Sequence, residues 1–175
     1  MASVFGHIVA SSAIGLAGFP RQANWKTLAL AGLCAALPDA DVIGFHFGVS
    51  YMSIWGHRGW THSLCFALVW GILVAWLFYG RDRDWWKMAC WLVLATASHP
   101  LLDMLTTGGM GCALWWPFSE ERLFFPVRVI RVSPLEIRSF ISQMGLRILL
   151  NEAFWIGAPS VLLVLFSQLF RKQAA

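Results

Sequence analysis

Residues 56–79 read GHRGWTHSLCFALVWGILVAWLFY. From Leu64 to Tyr79 there is no charged residue, and the apolar side chains would cover every face of a helix. Such a helix belongs in lipid or in the core of a large protein. A chain of 175 residues is too small to offer several such helices a dry core of its own. Composition agrees. The chain is 58% hydrophobic and 13% charged, with a mean hydropathy of +0.64, against about 45–50% and about 25% in soluble domains. The bilayer is therefore the expected solvent.

Working outward, further apolar segments are expected at Val4–Phe19, Trp25–Leu37 (stopped by Pro38), Trp85–Leu105 and Ala153–Phe170. A full span takes about 20 residues, so several of these are short. The expected fold is all-α: a polytopic membrane helical bundle of about four to five hydrophobic helices, forming one domain over residues 1–175. Residues 106–150 differ and are expected to form a re-entrant or interfacial segment. They are Gly-rich at Gly108, Gly109 and Gly111, then aromatic and Arg-rich. Leu123–Val132 could form a short strand pair, limited by Pro126. SPLE at 133–136 predicts a helix start, with Ser133 as cap, Pro134 in the first turn and Glu136 closing a capping box. The helix after it places Phe140, Ile141, Met144 and Ile148 near one face. It suits either the membrane interface or simple packing.

Two function classes fall away. The net charge of +4 comes with no basic run and no basic–aromatic repeat, so nucleic acid is not an expected partner. The four cysteines form no CxxC pair and read as small buried apolar residues. The N-terminus lacks a basic region and its first apolar stretch contains His7, which fits a secretory signal poorly.

The polar residues fall in a pattern. His7 opens the first segment; Asp39 and Asp41 follow the second; His57 and His62 open the third; His99 and Asp103 close the fourth. Short connections at 20–25 and 80–85 make successive helices antiparallel, which brings all seven to one side. Only His46 falls outside, in the adjoining 42–55 loop. Ionisable groups at membrane depth are expensive and need a partner or a role. A mixed His/Asp set is a metal-ligand set, suited to zinc and also to manganese or iron. His99 and Asp103 are spaced i,i+4 on one helix face, although Pro100 disfavours α geometry at His99. His57 is expected in a loop and His62 in the first helical turn, with Thr61 as its N-cap. Singly, each of these residues could be a cap or a salt-bridge partner, and Arg58 could simply neutralise Asp39 or Asp41.

The motifs resemble those of the YdjM-like inner-membrane, metal-dependent hydrolases. GHIVAS at 6–11, LPDAD at 37–41, GHRGWTHS at 56–63, SHPLLDMLTTGG at 98–109 and LWWP at 114–117 carry the likeness, in order, over most of residues 1–117. HRGxTHS with a later HxxxD is the specific part, and Thr107 stands where relatives often carry proline. The resemblance implies a distant likeness to zinc-dependent phospholipase C and S1-P1 nuclease, all-helical folds with clustered His and Asp zinc ligands. By motif, His7, Asp39, Asp41, His57, His62, His99 and Asp103 become the metal-ligand candidates. It also implies a hydrolase in the bacterial inner membrane.

On that basis about two or three divalent ions, zinc first, are expected to activate a water. One of Asp39, Asp41 and Asp103 is expected to bridge two ions, a carboxylate not fully used as a ligand (Asp39 or Asp41) to act as general base, and Arg58 to make a bidentate phosphate contact. Arg122, Arg128 and Arg131 are weaker candidates for that contact. Trp55, Trp60, Trp115 and Trp116 gather on the site side as an interfacial belt would. The expected substrate is then a lipid or lipid-linked phosphoester. The alternatives are a lipid ester or amide hydrolase on the same metals, or a non-catalytic metal-binding membrane protein. The opposite face carries Arg21, Lys26, Arg81, Arg83, Lys87, Arg171 and Lys172, marginally more basic than the site face. That places the site on the periplasmic side. The sequence leaves headgroup, metal count and oligomeric state open.

Overall fold

The computed structural model describes residues 1–135 and 137–173. Among these residues the chain is helical, with no β-strand. The helices are α1 (Val4–Gly18), α2 (Trp25–Ala36), α3 (Leu64–Tyr79), α4 (Trp85–Met104), α5 (Ile137–Phe140), α6 (Gln143–Glu152) and α7 (Ala158–Gln173). A π-helical turn, Ala153–Gly157, joins α6 to α7. Two stretches, Trp25–Phe47 and Gln143–Gln173, are long and apolar enough to cross a bilayer, whereas Val4–Gly18 and Leu64–Tyr79 are apolar but shorter.

Local chemistry sets the helix starts. Ser3 accepts a hydrogen bond from Gly6 N at the head of α1. Asn24 and Thr27 form a reciprocal capping box at the head of α2. Ser63, not Thr61, caps α3, accepting from Phe66 N at 3.0 Å; the Thr61 hydroxyl is used elsewhere. The α-helix of the second segment ends at Ala36, just ahead of Pro38, as expected. Pro38 itself sits in the first turn of a 3-10 helix, Leu37–Phe47, where its missing N–H is no loss, so Asp39 and Asp41 lie on a tight helical coil rather than an extended loop. Pro100 leaves α4 continuous, and His99 and Asp103 stay on one face, both fully buried.

The helix α4 is the hub, packing on α1, α2 and α3. Its Trp91 is fully buried and donates from Nε1 to Ser11 O at 3.1 Å. Close approach there depends on Gly15: a Cβ at that position would lie 1.9 Å from the Trp91 ring. By contrast α3 exposes Leu68, Val69, Ile72, Leu73, Trp76, Leu77 and Phe78, and α7 buries nothing, as lipid-facing helices do. α1 and α7 run side by side in the same direction. Ser3 at the head of α1 bonds Glu152 just before α7, and Ala17 O at its tail accepts from Arg171.

The connecting segment departs from expectation. Leu123–Val132 forms no strand pair. Only isolated bridges occur, Cys112 with Leu123 and Thr106 with Ile130, because Phe125 and Ile130 bond instead to the last carbonyls of α4 and its C-cap, Met104 and Leu105. The helix after SPLE is broken: α5 ends at Phe140 and Ser142 caps a new start for α6. Ser133 makes no helix cap. Its N–H goes to Met1 O, and Glu136 lies outside the described residues.

Gly15→Val should drive a methyl into the Trp91 ring and lower stability by about 1–3 kcal/mol. Gly18→Ala, with nothing within 4 Å of the new Cβ, should leave the melting temperature in detergent unchanged or slightly raised. Equal melting temperatures for the two variants would remove Trp91 packing from the account.

Candidate metal centre

Four side chains from three parts of the chain meet at the site end of α4. Asp39 comes from the 3-10 coil after α2, His62 from the short turn Trp60–His62 before α3, and His99 and Asp103 from the last turns of α4. One ligand atom from each lies within 4.8 Å of all the others. The individual separations are more telling. His62 Nε2 lies 3.0 Å from His99 Nε2, 3.6 Å from Asp39 Oδ1 and 3.7 Å from Asp103 Oδ2, and His99 Nε2 lies 3.4 Å from Asp39 Oδ1. Ligands held tetrahedrally at about 2.0–2.2 Å from zinc are about 3.3–3.6 Å apart. The four atoms thus form a cage of the size one small divalent ion fills.

Hydrogen bonding outside the cage turns each ring inward. His99 Nδ1 donates to Ala35 O at 2.6 Å, which leaves the Nε2 lone pair facing the cage. His62 Nδ1 faces Thr61 Oγ1 at 3.0 Å and Asp41 Oδ2 at 3.3 Å, with the same result. Inside the cage, both Asp39 oxygens are buried with no hydrogen-bond donor, while Asp103 Oδ2 meets the Arg58 guanidinium. Buried carboxylate oxygens are rarely left so, and a cation is the missing partner the donor set fits.

The remaining candidates divide by position. His7 is fully buried, stacked on His99 with centroids 3.8 Å apart. Its Nε2 approaches Asp103 Oδ1 at 3.5 Å and Asp39 Oδ2 at 3.9 Å, and neither ring nitrogen has a hydrogen-bond partner. Asp39 and Asp103 therefore turn one oxygen to the cage and the other toward His7. Asp41 stands behind the cage with its acceptor capacity in use: His57 Nδ1 at 2.7 Å, Arg58 N at 3.1 Å and Thr61 Oγ1 at 2.8 Å. Asp41, His57 and His62 also form a second compact group. Its His57–Asp41 spacing is that of a hydrogen bond, shorter than two ligands of one ion adopt. In this geometry Asp41 and His57 support His62.

Arg58 is not the free guanidinium expected from the sequence. It is fully buried, with Nε 3.0 Å from Asp103 Oδ2, Nη1 donating to Gly108 O at 3.0 Å and Nη2 to Thr106 Oγ1 at 2.9 Å. Its φ of 65° is in the left-handed region, at a cost of about 1–3 kcal/mol, and the Asp41 bond to its N–H helps hold it. Glycine makes room on both sides: a Cβ on Gly59 would lie 1.9 Å from Ile54 O, and one on Gly109, at φ 91°, 2.5 Å from Nη1. Arg122 binds the carbonyls of His57, Tyr51 and Ser53 and staples the loop that carries His57. Among the other weaker arginine candidates, Arg128 lies over the Phe124 ring. The structural roles of Thr106, Gly108 and Tyr51 were not visible in the sequence, since no spacing rule links them to residues 57–58. The Trp belt is partly assembled: Trp60 contacts Trp55 and Trp116 edge-on.

Charge completes the description. Among side chains, Asp39, Asp41 and Asp103 face one permanently charged cation, Arg58. With neutral imidazoles, one divalent ion balances the three carboxylates. Without it a proton must help. Burial alone would lower the His62 pKa, but Asp39 and Asp41 outweigh that and raise it to about 9.

A family model described as YdjM inner membrane protein matches residues 1–174. The chain is 41% identical over 170 residues to the Escherichia coli (strain K12) inner membrane protein YbcI, covering 94% of this chain and 95% of that one. No solved structure matches, and neither match extends to phospholipase C or a nuclease.

His62→Ala should abolish stoichiometric metal in the purified protein, whereas Asp41→Asn, behind the cage, should weaken affinity by about 10–100-fold. Metal analysis after dialysis against graded chelator separates the two. Metal uptake must displace the His62 proton, so affinity should rise with pH toward about 9. The metal-free protein should behave oppositely. A folded-state pKa raised from 6.5 to about 9 contributes stability that is full below about 6.5 and lost as pH climbs through about 9. A melting temperature of metal-free protein that does not fall over that window would contradict a protonated His62.

Proposed function

We propose, from the premise that the chain belongs to the YdjM family of inner membrane proteins, that it is a membrane-embedded metal-dependent hydrolase acting on a phosphoester of a lipid or lipid-linked substrate. It is an inner membrane protein with a buried His/Asp group that could hold a metal; the hydrolytic activity is our reading. One observation carries it. The donors exceed what a single closed ion needs, because Asp39 turns an unbonded second oxygen toward a His7 with no hydrogen-bond partner, and Asp103 Oδ1, which also accepts from Ala2 N, lies 3.5 Å from the same ring. Carboxylates with one oxygen at each of two positions are suited to bridging two ions.

In this reading Asp39, His62, His99 and Asp103 would hold the first ion, and His7 with Asp39 and Asp103 would hold a second. Bound metal, zinc by donor set with manganese or iron as alternatives, supplies Lewis acidity and a water of lowered pKa. The chain's own contribution is positional. Ala35 O and Asp41 fix the imidazole tautomers, Arg58 holds Asp103 in place, and the dry surroundings strengthen every charge interaction inside. With only the first ion bound, the outer oxygen of Asp39, which has no hydrogen-bond donor of its own, would be the group placed to take a proton from water. An interfacial position for the site suits a lipid phosphoester, whose head can enter while its chains stay in the bilayer. The distribution of Lys and Arg favours the periplasmic face.

A second reading has its own observation. The first cage has four protein ligands, all buried, and a closed shell is the mark of a structural site. The two readings part on turnover. Wild type with bound metal should hydrolyse a member of a lipid phosphodiester panel, and Asp39→Asn should lower kcat by at least about 100-fold. Stoichiometric metal with no turnover on phosphodiester, ester or amide lipids would leave the structural reading standing.

A further inference from the structure

Away from the metal cage, two arginines share a groove. Arg131 and Arg147 line a cavity of about 560 Å³ with Thr107, Val132, Met144 and Ile148. A second hollow of about 480 Å³ continues from the same two arginines to Leu150 and Asn151. The two guanidiniums are brought together by backbone, not by an acid. Asn151 on α6 accepts from Arg131 N at 2.7 Å and donates to Val129 O at 3.2 Å, clamping the 129–131 segment onto the helix. Among the described residues neither arginine has a carboxylate partner; the Arg and Lys ion pairs are Arg58 with Asp103 and Lys87 with Asp84. Two arginines lining one groove with no acid leave it positive, and an anion with several oxygens can take charge-assisted hydrogen bonds from both.

Depth in the membrane identifies the anion. The continuous helix Gln143–Gln173 has 31 residues and a length of about 46 Å, against about 30 Å of hydrocarbon and about 40–45 Å including headgroups. It ends in Arg171 and Lys172. Arg147 lies about 24 residues earlier, a rise of about 36 Å. If one pair of basic residues sits among the headgroups of one leaflet, the other sits among those of the opposite leaflet. Beside the guanidiniums, Met144, Leu146 and Leu150 are more than half exposed and lead along α6 toward the lipid-facing Phe154. A soluble anion has no use for that flank, whereas an acyl chain does.

We propose that this groove binds the phosphate headgroup of an anionic phospholipid, with Arg131 and Arg147 on its non-bridging oxygens and the acyl chains along Met144 and Leu150. The site is separate from the cage and holds whether or not the cage is catalytic. The two are nonetheless joined by one short loop. Thr107 lines the groove, while its neighbours Thr106 and Gly108 hold the Arg58 guanidinium that contacts Asp103. A lipid seated here lies one loop away from the buried metal centre.

The test uses the whole chain, purified in a zwitterionic detergent and titrated with phosphatidylglycerol or phosphatidylcholine, with retained lipid counted by native mass spectrometry. Wild type should retain phosphatidylglycerol in preference to phosphatidylcholine. R131Q/R147Q should lose at least about tenfold in affinity, and R171Q/K172Q, at the far end of the helix, should not. Cage metal content and helical circular dichroism report folding. Should the double variant fail on both, Arg147→Gln alone, a change on an exposed helix face, should show a loss of about threefold. Equal retention of the two lipids by wild type, or undiminished phosphatidylglycerol retention by a folded R131Q/R147Q, would overturn the proposal. Complete displacement of the lipid by millimolar inorganic phosphate would overturn it in favour of a soluble phosphate ligand.

Discussion

A surplus of negative charge in a dry interior is the constraint on which the rest of this structure depends. Asp39 and Asp103 are almost completely hidden from solvent, and isolated carboxylates in such surroundings would be worth several kcal/mol of destabilisation each. The fold answers with one guanidinium and a shell of imidazoles. Asp103 is the most heavily served, taking Arg58 Nε at 3.0 Å on one oxygen and Ala2 N at 2.6 Å on the other. What the protein groups leave over is close to the charge of one divalent ion. The charge count and the cage dimensions both fit a divalent cation.

Holding that arrangement demands backbone order where no regular structure exists. The turn through 56–60 carries a residue with positive φ, flanked by glycines that let carbonyls approach closely. The loop 106–109 closes over Arg58 from the other side. Scattered backbone bonds, such as Trp60 N to Ile54 O and Thr107 N to Ile130 O, hold both segments in part, and side chains complete the hold: Asp41 and Arg122 for the first, Arg58 itself for the second. At membrane depth such irregular backbone is tolerated where it is buried in protein, and here the protein that buries it is the polar cluster. Fold and site are mutually dependent in consequence.

Much of this was legible in the residues. The apolar run Leu64–Tyr79 is the helix α3 to the residue, because nothing polar interrupts it and a serine precedes it. The convergence of His7, Asp39, His57, His62, His99 and Asp103 followed from short antiparallel connections and the i,i+4 spacing in α4. The division of labour within the set was not legible. Asp39 and Asp41 are two residues apart in either an extended or a 3-10 path, and only the observed coil sends one into the cage and the other behind it. Thr61 reads as a cap by its position, yet its hydroxyl goes to Asp41 at 2.8 Å, since Ser63 already serves the helix. Arg58 reads as available, because its partners Thr106 and Gly108 are some fifty positions away. The strand pair at 123–132 failed because the end of α4 offered those N–H groups acceptors first.

The contacts of the first residues deserve a temporal reading. Ala2 reaches Asp103 and Ser3 reaches Glu152, across sequence separations of 101 and 149. Loops of that length close only after the intervening chain exists, and a ribosome adds roughly 5–20 residues each second. The head of α1 is therefore anchored only once α6 has been made. Until α6 emerges, Ser3 lacks its acid and the head of α1 has no anchor beside the cage. Anchoring of the α1 head beside the cage is in this way tied to α6, which lies far downstream and takes no part in the cage itself.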